Sequence, residues 1–173
     1  MKVYAAVLTM CLSAGWSTAR AELTDLNDFI DGIEKADSDS ACQVSEPMSA
    51  LWKELRLRYV PSVNEKPSEK VSIPARFSAA FGKANIKKRD SEGYRHVIIP
   101  LIGVYRGLIT NRINFYIGIE NGISIISISF KDSKKKVERI LGPDLARRTS
   151  MSQGYAEIIG RGAGSELVCD LST

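Results

Sequence analysis

Residues 113–130, INFYIGIENGISIISISF, contain the pattern that most constrains the fold of this chain. Apolar and polar residues alternate on both sides of Asn121-Gly122, a dipeptide that favours a two-residue type I′ turn. Folding the segment at that turn predicts an antiparallel hairpin in which Ile117 lies opposite Ile126. The core face of this hairpin then carries Ile113, Phe115, Ile117, Ile126, Ile128 and Phe130, and the face near water carries Asn114, Tyr116, Ser127 and Ser129.

Residues 1–21 have the organisation of a signal peptide. Lys2 precedes an uncharged apolar run, and Ala19-Arg20-Ala21 fits an A-x-A cleavage site. The run is shorter than the roughly 20 residues that span a bilayer, so we predict cleavage rather than a membrane anchor. We therefore expect a periplasmic or secreted protein with no transmembrane segment after cleavage, and a single domain over residues 22–173.

Two cysteines remain after the leader is removed, because Cys11 lies inside it. An even count in an oxidising compartment predicts a disulfide between Cys42 and Cys169. The alternatives are a catalytic thiol pair or a metal site, but the two cysteines are far apart in sequence and the chain has one histidine. The predicted bond closes a loop for which chain entropy gives a stabilisation of roughly 4 to 5 kcal/mol.

Two helices are predicted near the mature N-terminus. Residues 24–35 have apolar side chains at i, i+3, i+4 and i+7, with Thr24 available as the N-cap. Ser45-Glu46-Pro47 is typical of a second helix start, and Pro61 is expected to end that helix. Segment 61–74 is rich in proline and poor in apolar residues, so we interpret it as an exposed connection.

The rest of the chain favours strands, with one late helix. A strand is predicted near Gly82 to Arg89, followed by the hairpin loop DSEGY and an apolar run in which Pro100 indicates a bulge or an edge position. Asp132 or Ser133 is expected to cap a short helix, and GRGAGS at 160–165 joins two final strands. The chain is therefore predicted to be an α+β domain with two N-terminal helices, a mainly antiparallel sheet of about six strands, and one late helix between strands.

No residue pattern in this chain is typical of catalysis. His96 has neither a nucleophile nor an orienting partner beside it in sequence, so a strand histidine is favoured over a general base. GRGAGS lacks the lysine and the spacing of a P-loop, which favours a tight turn over a phosphate site. DSDS at 37–40 lacks the glycine and the terminal glutamate of a calcium loop. We predict no cofactor and no metal, and an enzyme is the less favoured class.

Positive charge is clustered near the predicted strand at 82–89, around the late helix, and at Arg147-Arg148 after it. Loss of Lys2 and Arg20 with the leader lowers the net charge from +4 to about +2, and no aromatic residues alternate with the basic ones, so nucleic acid is not an expected ligand. The clusters are interpreted as a solvated surface or as a docking surface for an acidic protein. "GVYRGLITNR" either faces a partner from a turn or caps a sheet edge. The candidate partner-binding residues are Lys87, Lys88, Arg89, Tyr105, Arg106, Lys134, Lys135 and Lys136.

Together these features favour an exported protein that binds another protein, such as an inhibitor or immunity protein that neutralises an exported enzyme or toxin. One alternative is an envelope-structural protein that binds a polyanion through Lys134–Lys136 and Arg139, with steep salt sensitivity. The other is a small hydrolase in which His96 or carboxylates converge only in three dimensions. A concave site with perturbed titratable groups would favour the enzyme, and a flat face would favour binding.

Overall fold

The computed structural model describes residues 22–34, 42–60, 73–145 and 155–172. The predicted signal peptide, the acidic link at 37–40 and most of the predicted connection at 61–74 lie outside the described residues. Across the described ranges, no helix has both the length and the apolar character needed to cross a membrane.

The described residues form a mixed α and β structure built on an eight-stranded sheet. The helices are α1 (Asn27–Ile30), α2 (Glu46–Tyr59) and α3 (Lys134–Leu141), with 3₁₀ turns at Ala75–Ala80, Asp90–Glu92 and Gly142–Asp144. The strands are β1 (Thr24–Asp25), β2 (Asn85–Arg89), β3 (Tyr94–Pro100), β4 (Gly103–Tyr105), β5 (Leu108–Gly118), β6 (Ser124–Phe130), β7 (Tyr155–Arg161) and β8 (Gly164–Asp170).

The sheet has eight strands, more than the six or so that were predicted. Six strands pair in the order β1-β4-β5-β6-β8-β7. In addition, β3 pairs with β5, and β2 pairs with the other edge of β3. The short β1–β4 pairing is parallel, whereas the other strand pairs are antiparallel. β3 and β4 lie one after the other along the same side of β5, interrupted just after Pro100, where an irregularity was predicted.

One face of the sheet packs against the helices and encloses the core. The Trp52 ring of α2 lies 5.7 Å from the Phe115 ring of β5, measured between centroids. Val137 and Leu141 of α3 are fully buried in the same apolar cluster. The mixed α and β content, the antiparallel character of the sheet and the late helix between strands agree with the prediction.

The predicted start of α2 is confirmed, but the first predicted helix is much shorter than expected. Ser45 Oγ caps α2 by accepting a hydrogen bond from Met48 N at 3.3 Å. Thr24 was expected to cap a helix, yet it pairs with Gly103 in β1, because this backbone is held by the sheet before the helix begins. The apolar side chains of that segment are nevertheless fully buried, as predicted: Leu26, Phe29, Ile30 and Ile33.

The central hairpin forms between β5 and β6 with the predicted faces and a different register. Ile117 lies opposite Ser124 instead of Ile126, and Gly118 N donates to Ile123 O at 2.8 Å. The connecting loop is therefore Ile119–Gly122, four residues long. A shift of two residues keeps every side chain on its predicted face, because the side-chain period of a strand is two. All six predicted core residues are buried.

The predicted cysteine pairing is confirmed at disulfide distance. The sulfur atoms of Cys42 and Cys169 are 2.13 Å apart, and their Cα atoms are 6.1 Å apart. The bond ties the segment before α2 to β8, and both cysteines are buried. The N-terminal helices are thus covalently joined to the C-terminal strand.

Candidate functional site

The face of the sheet turned away from the core carries a polar network at its centre, and we call it the outer face. Strand alternation and the observed registers bring together side chains from five strands, β2, β3, β5, β6 and β8, with β7 at the margin. The polar and aromatic residues of the outer face include Lys87, Arg89, Tyr94, His96, Arg112, Asn114, Tyr116, Ser127, Arg161 and Glu166.

Glu166 is the buried centre of this network, with 3% of its surface exposed. Its Oε1 atom accepts from Ser127 Oγ at 2.5 Å and from Asn114 Nδ2 at 3.1 Å. Its Oε2 atom accepts from Arg161 Nε at 2.9 Å. A buried carboxylate is costly unless it is paired and hydrogen-bonded, and here both oxygens are satisfied. The network therefore fixes these side chains in one arrangement.

An aromatic cluster lies beside the network. The His96 ring stacks on the Tyr116 ring, with centroids 4.3 Å apart and an interplanar angle of 12°. The Tyr94 ring lies 5.8 Å from the Tyr116 ring. His96 Nε2 is 3.3 Å from Asn114 Oδ1, which joins the cluster to the network. All three rings are half-buried, so each keeps a surface that a ligand can contact.

Burial lowers the pKa of His96, and the nearby cations Lys87, Arg112 and Arg89 act in the same direction. The hydrogen bond with Asn114 opposes them only in part. Burial likewise raises the pKa of the Tyr116 hydroxyl. At neutral pH both rings are therefore uncharged, and the positive charge of this region resides on the lysine and arginines.

The outer-face geometry does not form a nucleophile and base pair. Ser127 Oγ donates to Glu166, and His96 Nε2 contacts Asn114 rather than Ser127. An amide between the two has no exchangeable acid–base function at these pH values, so it cannot relay a proton from Ser127 to His96. Within the described ranges, no group of three or more histidine, cysteine or acidic residues is placed to hold a metal ion.

The predicted basic cluster on β2 lies partly on the outer face. Register places Lys87 opposite His96 and Arg89 opposite Tyr94, whereas Lys88 points to the other side of the strand. Arg89 Nη1 is 3.5 Å from Glu92 Oε1 in an exposed ion pair. Lys87 and Arg89 therefore border the aromatic cluster, and their role in partner binding stays a prediction.

The predicted cluster on α3 is a separate surface. Lys134 pairs with Glu138 at 3.5 Å, and Lys136 pairs with Asp132 at 2.6 Å, whereas Lys135 is exposed. α3 contacts β7 and β8, at the opposite edge of the sheet from β2. Those edges are separated by roughly 24 Å, because neighbouring strands lie about 4.8 Å apart. The two basic clusters do not form one site.

Tyr105 and Arg106 lie at the turn between β4 and β5, and only Arg106 is exposed. Arg106 and Gly107 have φ values of +49° and +79° and connect β4 to β5. Tyr105 is fully buried, and its hydroxyl donates to Glu34 Oε2 at 2.6 Å. Arg106 Nη1 donates to Glu34 Oε1 at 2.6 Å and to Asp144 at 3.1 Å. Burial, together with the bond to Glu34, raises the pKa of Tyr105. The buried Tyr105 offers no surface to a partner, whereas Arg106 is exposed and its role in partner binding stays a prediction.

Sequence analysis missed the network itself. Asn114 and Ser127 were placed on the correct face, but they were expected to lie near water, and they are buried. Glu166 reaches them only because β8 pairs with β6, a contact between distant segments. A polar residue at an outward strand position is ordinary, so no local signal distinguished Glu166 from a solvated side chain.

Comparisons of the chain with protein-family profiles, with curated proteins and with solved structures found no match. The functional argument therefore depends on the geometry of the described residues.

Proposed function

We propose that this chain is an exported, non-enzymatic protein-binding domain whose interface is the outer face, and that it acts as an inhibitor or immunity protein against an exported enzyme or toxin. The supporting observation is the buried network of Asn114, Ser127 and Glu166 beside half-exposed tyrosines and exposed arginines. Tyrosine and arginine dominate the energetics of protein interfaces. Side chains already fixed by hydrogen bonds lose little entropy when a partner binds.

The dimensions of the outer face suit a protein better than a small molecule. Six strands of about seven residues give a surface of roughly 24 by 23 Å, or about 550 Å². That is a large share of the roughly 800 Å² that each partner contributes to a standard interface. Small-molecule sites are instead concave and enclose most of their ligand.

Charge on the outer face favours an acidic partner surface. Lys87, Arg89 and Arg112 surround the His96 position, and their combined field already lowers the pKa of that ring. A carboxylate of a partner placed there would meet several cations in a partly desolvated site. The polyanion alternative has less support, because Lys134 and Lys136 of α3 are paired with acidic residues.

Export is part of the proposal. A disulfide that joins distant segments is typical of proteins in oxidising compartments. Mass spectrometry of the exported protein tests this part directly, since it should begin at Glu22. Retention of residues 1–21 would contradict it.

Affinity capture with oxidised protein 22–173 tests the interface. We expect one partner protein from envelope or secreted extracts to bind wild type, and Tyr116→Ala or Arg112→Glu to weaken that binding by about 30-fold, as for interface hot spots. Lys135→Glu on α3 is the matched charge control and should bind normally. Equal binding by all three variants would refute the interface.

The inhibitor role has its own test. Adding the domain to the purified partner should abolish the activity of that partner at equimolar ratio, and Tyr116→Ala should restore the activity. Binding without any change in partner activity would refute the inhibitor role but would still support the proposed interface.

A further inference from the structure

A second candidate site lies between α2 and the loop of the central hairpin. A cavity of about 400 Å³ is lined on the helix side by Trp52 and Arg56, and on the hairpin side by Ile119, Glu120 and Ile123, with Leu171 at its margin. The four-residue loop forms this wall, and the two-residue turn predicted from sequence would not have supplied it. None of these residues belongs to the outer-face network.

The cavity wall is mainly polar, and apolar side chains from α2, the hairpin and the C-terminal end contribute the remainder. Trp52 and Arg56 are one helical turn apart, so they lie on the same side of α2. Trp52, Ile119, Ile123 and Leu171 are half-buried, whereas Arg56 and Glu120 are exposed.

The two charged groups at the mouth do not neutralise each other. Among the residues that the structure describes, neither Arg56 nor Glu120 takes part in an ion pair. One cation and one anion therefore border the same recess, beside the Trp52 ring. A ligand that carries both charges next to an apolar group would complement all three features.

We propose that this cavity binds a small zwitterion with an apolar body, in the class of free aliphatic α-amino acids. The carboxylate of the ligand pairs with Arg56, its ammonium pairs with Glu120, and its side chain packs on Trp52. A volume of about 400 Å³ is at the small end of ligand pockets, which fits a metabolite of this size. The inference is independent of the proposed function, and its test uses no partner protein.

Trp52 provides the readout, because the only other tryptophan of the chain is Trp16 in the leader. Oxidised protein 22–173 is titrated with L-leucine, with N-acetyl-leucine, which lacks the ammonium, and with leucinamide, which lacks the carboxylate. We expect a saturable change in Trp52 fluorescence with leucine, and about tenfold weaker binding of each analogue, the loss expected for one charge-assisted hydrogen bond. Calorimetry on the same samples detects binding that leaves the fluorescence unchanged.

Two charge-removing variants assign each end of the ligand. Arg56→Gln should weaken leucine binding about tenfold and leave leucinamide binding unchanged. Glu120→Gln should weaken leucine binding about tenfold and leave N-acetyl-leucine binding unchanged. Lys135→Gln, outside the cavity, is the control and should match wild type. Absence of saturable binding by both methods, equal binding of the three ligands, or leucine binding unaffected by both variants would overturn the proposal. Circular dichroism confirms that each variant is folded.

Discussion

Replacing Cys42 and Cys169 with alanine should lower the free energy of unfolding by about 5 kcal/mol. The two residues are 127 positions apart. For a closed loop of that length, the loss of chain entropy in the unfolded state gives roughly 5 kcal/mol at 25 °C. Small domains have a total stability of about 5 to 15 kcal/mol, so this one cross-link supplies a large fraction of it.

Urea denaturation followed by circular dichroism measures the effect. With a slope of about 2 kcal/mol per molar urea, the midpoint should fall by roughly 2.5 M. Part of any loss comes from sulfur atoms removed from the core, because both cysteines are buried. Reduced wild type separates the two contributions: it keeps the sulfur atoms and loses the bond, so it should lie close to the alanine variant.

Two results would refute this reasoning in different ways. A difference below about 1 kcal/mol between oxidised and reduced wild type would show that the bond does not act through the unfolded chain as the entropy argument requires. Titration of two free thiols in the purified native protein before reduction would show that the bond is not formed at all.

His96 is the only histidine, so its NMR titration is unambiguous, and its pKa should lie below 6.5 because of burial and the neighbouring cations. The unfolded state then binds a proton at higher pH than the folded state does, so the free energy of unfolding falls as pH drops below about 6.5. His96→Gln should remove that dependence. A measured pKa of His96 at or above 6.5 would contradict the outer-face electrostatics. Arg106→Ala should lose about 2 kcal/mol in urea unfolding and Arg106→Gly about 1 kcal/mol, because each leaves the Glu34 carboxylate without its cation but glycine relieves the backbone. The glycine variant should be more stable than the alanine variant by about 1 kcal/mol, since φ is +49° at this position, and equal stabilities would argue against backbone strain.

The turns could not be predicted correctly from local sequence. Asn121-Gly122 was expected to form a two-residue turn, but Gly118 pairs with Ile123, so the turn residues sit inside a wider loop. A two-residue turn with positive φ at both positions is found instead between β4 and β5, at Arg106-Gly107. Arginine is a poor residue for that conformation, and it is held there because Arg106 N donates to Asn27 Oδ1 at 2.8 Å and its guanidinium reaches Glu34. Those contacts are tertiary, so the preference of the dipeptide alone could not predict them.

The alternation of apolar residues predicted burial more reliably than it predicted strand register. The six residues of segment 113–130 that alternation assigned to the core are all buried even though the register was wrong, because burial depends on the face and not on the opposite residue. The start of α2 at Ser45 was equally local, since a cap and its helix are adjacent in sequence. The outer-face network was not predictable in the same way, because Glu166 and Asn114 are 52 residues apart.

The placement of β8 has a consequence for how the protein is made. β8 lies between β6 and β7, and its buried residues Leu167 and Cys169 complete the core. A nascent chain that stops before residue 164 lacks that strand and leaves the apolar edge of β6 without its neighbour. The sheet should therefore close only after residues 164–170 have been synthesised, and a chain that ends before them should stay unfolded.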